Sequence, residues 1–118
     1  MGEKEREYVE LAFATNWVAP LGPNVDAFEN QLVEYVGVKG AVSLSSGSAA
    51  IHLALLTLGI QEGDLVLCQS FTFAASAFPI SYCKAEPIFI DSEKDTWNID
   101  PELLEESIKD LLKNGKKP

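Results

Sequence analysis

Residues 43–56 constrain this chain more than any other stretch. Ser43-Leu44 runs into the small, hydroxyl-rich turn Ser45-Ser46-Gly47-Ser48, which opens directly into the apolar helical pattern Ala49-Ala50-Ile51-His52-Leu53-Ala54-Leu55-Leu56. A strand-like run that empties into a helix start is the elementary joint of an α/β fold. It also makes an anion cradle, because the first helical N–H groups lack intrahelical partners and the aligned peptide dipoles leave partial positive charge there. A phosphate docks at such a point without needing a lysine. Gly47 lets the backbone approach, Ser46 and Ser48 add hydroxyl donors, and the alanines leave the first turn uncovered. Ser48 reads equally well as a plain N-cap, since serine before an apolar run is a common helix start.

The rest of the chain repeats the alternation. Glu3 to about Ala14, with Val9, Ala12 and Phe13 among charges, suits an amphipathic helix that stops before Thr15-Asn16. Asn16-Trp17-Val18-Ala19-Pro20-Leu21-Gly22-Pro23 carries two prolines and reads as an extended, shaped loop. Asn24 is the expected cap of a second helix, with Val25, Phe28, Leu32, Tyr35 and Val36 on one face and Gly37 as its stop. Val38–Leu44 is expected as a strand, Ser48–Leu58 as a helix ended by Gly59, Gln61-Glu62-Gly63-Asp64 as a turn, and Leu65–Cys68 as a second strand. A helix from Thr72 to about Tyr82 and a third strand, Pro87–Ile90, follow. Strands apolar on both sides and alternating with helices belong to a parallel sheet between helix layers. Asp100-Pro101 with Glu102, Glu105 and Glu106 opens a last helix that runs to Asn114-Gly115.

Composition bounds the partners. The 118 residues hold one modest core, and a net charge of −9 leaves no basic stripe for a nucleic-acid backbone or an anionic membrane surface. Cys68 and Cys83 lie in apolar stretches without C-x-x-C spacing and read as buried free thiols of a reducing, cytoplasmic setting. With one histidine in the chain, no metal site is expected. Neither a signal peptide nor a run long enough to span a bilayer is visible.

Ligands of open α/β sheets collect at the carboxyl ends of the strands. Besides Ser46-Gly47-Ser48, the turn Ser70-Phe71-Thr72-Phe73 falls at such an end, and an exposed ring there is a platform for a flat heterocycle. Taken alone, Phe71 and Phe73 read first as ordinary core residues. Asp91, after the third strand, reads as a brace for the following turn rather than a catalytic group.

Four blocks in order, residues 16–23, 45–55, 70–76 and 95–104, resemble the DegT/StrS group of sugar-nucleotide aminotransferases, which are fold-type I pyridoxal phosphate enzymes. The resemblance covers essentially all of the chain. It implies a partial three-layer α/β/α large domain with a mostly parallel sheet, in which residues 1–37 supply N-terminal helices and a substrate loop and residues 38–118 the alternating strand and helix unit. The turn matching Gly47, Ser48 and Ala49 would hold the phosphate of pyridoxal phosphate, and the ring of Phe73 would stack on its pyridine. The loop around Trp17, Leu21 and Gly22 would border a sugar-nucleotide pocket near the interface of a homodimer. The implied reaction moves an amino group from an amino acid, glutamate above all, to a nucleotide-linked keto sugar. The flavour of residues 16–22 and 71–82 is that of a bacillosamine-type enzyme acting on a UDP-linked 4-keto sugar.

Pyridoxal chemistry also needs a lysine to hold the cofactor and a carboxylate at the pyridine nitrogen. The family supplies both from strands later than those expected here, and the lysines of this chain fall on surface helices, turns or the tail. No catalytic residue is therefore assigned. The chain reads as a truncated piece, inactive by itself and marginal or associating when alone. A non-catalytic phosphate-binding, pyridoxal phosphate-binding or assembly module is the alternative. A generic dinucleotide-binding domain is disfavoured because no G-x-G-x-x-G turn follows a strand.

Overall fold

Glycine and proline punctuation sets the first helices. In the computed structural model, which describes residues 2–118, α1 spans Glu3–Ala14 and α2 spans Pro23–Val36. The C-terminus of α1 is closed by the Thr15 hydroxyl, which donates to the Leu11 carbonyl at 2.7 Å, and by Asn16 in the left-handed region at φ 55°. The cap of α2 is Gly22, not Asn24, with Pro23 as the first helical residue. Proline is favoured there because its φ is already helical and its missing N–H is one the helix could not use. Gly37 ends α2 at φ 74°, donating to Val33 at 2.9 Å. These elements form one compact unit that ends at Ser43; residues 44–118 form another.

The expected strand Val38–Leu44 is not formed. A strand exists only through a ladder partner, and among the described residues this segment has none. The Ser43 N–H instead donates to the Glu29 carboxylate on α2 at 2.6 Å.

In the second unit α3 runs Gly47–Thr57, capped by Ser46, whose Oγ accepts from the Ala49 N–H at 3.2 Å. The serine that caps is thus two positions earlier than Ser48. After Gly59, at φ 83°, the turn 61–64 is closed by Asp64, whose carboxylate accepts from the Gln61 N–H at 2.8 Å. Strands β1 (Leu65–Gln69) and β2 (Glu86–Ile90) then pair in parallel, with Leu65 opposite Glu86 and Gln69 opposite Ile90.

The connection between them is not the single helix expected from Thr72 to Tyr82. A 3₁₀ turn, Ala74–Ser76, is followed by a separate short helix, α4, at Phe78–Tyr82. Pro79 explains the break, because it has no N–H to donate and its ring collides with the carbonyl four residues back. Pro79 therefore sits in the first turn of a new helix. Both pieces pack against α3, and α4 also packs against β2.

The core lies under this crossover. Ile80, Cys83 and Ala85 are buried, with Leu55, Ile60, Val66 and Cys68 packed against them. Ile80, at 2% exposure, contributes about 2–3 kcal/mol by removal from water. Helix α5 (Pro101–Lys113) packs against β2 and starts as expected, the Asp100 carboxylate accepting from the Glu102 and Leu103 N–H groups at 2.8 and 3.2 Å.

Candidate functional site

Two turns of the second unit hold the expected site residues, one at the start of α3 and one after β1. At the start of α3, Gly47, Ser48 and Ala49 occupy the first three helical positions. The Ala49 N–H is engaged by the Ser46 hydroxyl, whereas the N–H groups of Gly47 and Ser48 and the Ser48 hydroxyl have no hydrogen-bond partner among the described residues. A Cβ placed on Gly47 would meet nothing within 4 Å, so the backbone is open on that side of the turn. Free amides, an unpartnered hydroxyl and open access fit a phosphate group.

The second turn follows β1. Ser70 is tied to the end of β2 by its N–H, donating to the Ile90 carbonyl at 2.8 Å, and by its hydroxyl, 3.3 Å from the Asp91 carboxylate. Asp91 also accepts from the Ser92 N–H at 2.8 Å, which makes it the brace expected of it. Neither phenylalanine is a core residue. Phe71 is 64% exposed and packs on Trp97, with ring centroids 5.3 Å apart and planes tilted by 53°. Phe73 is 82% exposed with no ring partner, standing just before the 3₁₀ turn that packs against α3. An unclaimed ring on a rigid turn is a stacking surface for a flat heterocycle.

Four residues of this neighbourhood are not among the site residues expected from the sequence. Gln69, Ser92, Glu93 and Trp97 gather around a cavity of about 370 Å³ lined by Ser70, Phe71, Asp91, Ser92, Glu93, Lys94 and Trp97. The Glu93 carboxylate gathers its own loop, accepting from the Thr96 hydroxyl, the Asp95 N–H at 2.5 Å and the Thr96 N–H at 2.7 Å. These bonds, the Thr96 hydroxyl first, favour the ionised carboxylate and hold its pKa below the usual carboxylate range. Cys68 is raised by burial, which keeps its thiol protonated and unreactive. The hints in the sequence are a polar glutamine ending an otherwise apolar strand and the place of Trp97 in the block 95–104.

In the first unit, Trp17, Leu21 and Gly22 come together. The Trp17 Nε1–H donates to the Leu21 carbonyl at 2.7 Å, and Gly22 lies against the indole so closely that any side chain there would run into it. Val9, Ala12, Phe13, Trp17, Val18 and Val25 are among the residues lining an apolar groove of about 650 Å³. That is a volume suited to a small organic ligand.

A parallel α/β unit with free amides at the start of one helix and an exposed ring on the turn after β1 presents donors and a flat surface of the kind that suit a phosphorylated heterocycle. Residues 1–113 match the DegT/DnrJ/EryC1/StrS aminotransferase family, and the chain belongs to it. Its sequence is 56% identical over 118 residues to EpsN of Bacillus subtilis, assigned to the pyridoxal phosphate-dependent aminotransferases, covering 100% of this chain and 30% of EpsN. It is 40% identical over 110 residues to the GDP-perosamine synthase of Escherichia coli O157:H7, covering 93% of this chain and 30% of that protein. The pyridoxal phosphate form of Spr1654 from Streptococcus pneumoniae, assigned as a sugar aminotransferase, superposes with a TM-score of 0.85 at 31% identity over 92% of this chain and 27% of that one. The chain therefore spans about a third of the length of the relatives it matches, and the expected family and fold-type I class are both met. No described helix is long and apolar enough to cross a membrane.

Proposed function

We propose that this chain is the cofactor-gripping and sugar-bordering part of a pyridoxal phosphate-dependent aminotransferase that aminates a nucleotide-linked keto sugar for polysaccharide biosynthesis. The observation that carries the reading is the pairing of free amides at Gly47 and Ser48 with the unclaimed ring of Phe73 in one packed unit.

In this reading the Gly47 and Ser48 amides and the Ser48 hydroxyl hold the phosphate at the positive end of α3, Ala49 lies beside it with its N–H shared with the Ser46 hydroxyl, and Phe73 covers one face of the pyridine. When bound, pyridoxal phosphate supplies an electron sink for moving an amino group between carbon skeletons. Phe73 orients the ring and excludes water from one face, while the amides fix the phosphate end so that the ring cannot slide. Trp17, Leu21 and Gly22 border the sugar-nucleotide, with glutamate as amino donor and a UDP-linked 4-keto sugar as acceptor, in a cytoplasmic homodimer. Residues 1–37 and 38–118 are parts of one large domain in this assignment. The lysine and the pyridine-nitrogen carboxylate lie outside the elements just described, so residues 1–118 bind without turning over.

Titration with pyridoxal phosphate, pyridoxal and inorganic phosphate tests this. Phe73→Ala is expected to weaken pyridoxal phosphate about five- to tenfold, from loss of roughly 1 kcal/mol of stacking, and to leave inorganic phosphate binding and the melting temperature unchanged. Equal pyridoxal phosphate affinity in wild type and variant removes the reading. Borohydride separates the alternative of a non-catalytic module: in the complete enzyme it fixes the cofactor to a lysine, and in a module it fixes none.

A further inference from the structure

We infer that Gln69 and Trp97 are positioning residues that hold the Ser70–Phe73 turn, and with it the Phe73 ring, in register; this rests on Phe73 being the cofactor's ring platform. Gln69 is the last residue of β1 and leads directly into that turn. Its amide nitrogen spends both hydrogens on the loop after β2, donating to the Ser92 Oγ at 3.0 Å and to the Trp97 carbonyl at 2.5 Å. Trp97 holds a left-handed backbone at φ 63°, a conformation that costs a bulky residue free energy and persists only where its surroundings fix it. The loop closes on itself through the Glu93 N–H, which donates to the Asn98 carbonyl at 3.0 Å, and two contacts tie Trp97 to the turn after β1. One is the Gln69 bond to its carbonyl, and the other is its ring lying against Phe71.

The geometry closes a ring of contacts: β1 to Gln69, Gln69 to Trp97, the Trp97 indole to Phe71, and Phe71 back along the chain to Gln69. A separate pair of bonds, from Ser70 to Ile90 and Asp91, pins the near end of the same turn to β2. At the far end the Thr72 and Ser76 hydroxyls are hydrogen-bonded at 2.8 Å, which joins the turn to the 3₁₀ segment. Phe73 stands between these anchors and touches no ring itself. Its orientation is therefore set by the turn, and the turn by the brace.

The test uses the protein as its gene encodes it, with Gln69→Leu, which removes both donors at similar volume, and Trp97→Phe and Trp97→Gly. Without cofactor, Gln69→Leu is expected to lose the near-ultraviolet dichroism of the Phe71–Trp97 pair and to exchange the amides of residues 71–73 about tenfold faster, while the amides of β1 and β2 keep their protection. Pyridoxal phosphate affinity is expected to fall about tenfold with inorganic phosphate affinity unchanged. Trp97→Phe, which keeps a ring over Phe71, is expected to restore most of the affinity that Trp97→Gly loses, although glycine suits the backbone better. Unchanged dichroism and exchange in Gln69→Leu, or Trp97→Gly binding pyridoxal phosphate like wild type, overturns the inference. If Phe73→Ala binds like wild type while Gln69→Leu still loosens residues 71–73, the platform reading fails and the brace stands.

Discussion

Gly22 shows how much one residue can decide. Its positive φ and its closeness to the Trp17 indole leave no room for a methyl group. Gly22→Ala is therefore expected to push the indole out and break its bond to Leu21, costing the first unit roughly 1–3 kcal/mol. A red shift of tryptophan emission together with earlier melting of α1 and α2 checks this; an unshifted spectrum counts against it. Glu93 makes a pH-dependent case. Its folded pKa is lowered by the Thr96 hydroxyl and the Asp95 N–H, so its stabilisation is fully present above the ordinary carboxylate range and is lost as pH falls through the lowered folded value. Asp91 and Asp95 are acids of the same loop and Lys94 its cation. The Trp97 dichroism is expected to fade in acid for wild type and to be insensitive to acid in Glu93→Gln. Identical acid profiles in the two proteins would discard the assignment.

At the scale of elements, what could be read in advance divides by whether its cause is local. Helix α5 was legible from Asp100-Pro101 because cap and first turn lie within four residues, and Asp100→Ala should cost about 1 kcal/mol, seen as faster amide exchange in its first turn. The start of α3 was legible for the same reason, with a shift of two residues in which serine caps. The single helix drawn through residues 72–82 failed at Pro79, a local signal that apolar periodicity overrode. Val38–Leu44 failed for a different cause. Its apolar pattern suits a strand, but pairing is not a property of the segment itself, and its N–H at Ser43 found a carboxylate. The brace of Gln69 and Trp97 joins residues on either side of a whole crossover, so no short spacing announces it.

At the scale of the whole molecule, apolar surface exceeds what the six buried side chains among the described residues can hide. Tyr35 is 90% exposed on the first unit and Leu58 79% exposed on the second, and the outer edges of the two-stranded sheet are unpaired among the described residues. Open edges and apolar patches favour association. A net charge of −9 resists it through mutual repulsion. The 118-residue chain is thus expected to form soluble oligomers whose size grows with concentration and with salt, as screening weakens the repulsion. Sedimentation at several concentrations and ionic strengths checks this, and a monomer throughout contradicts it. The pairing of β1 with β2 carries one more consequence. Every matched pair in that register is offset by the same 21 positions, as Leu65 to Glu86 shows. Closing so short a loop costs little entropy, so on a chain emerging from the ribosome this crossover is the natural seed, formed before distant segments have been synthesised.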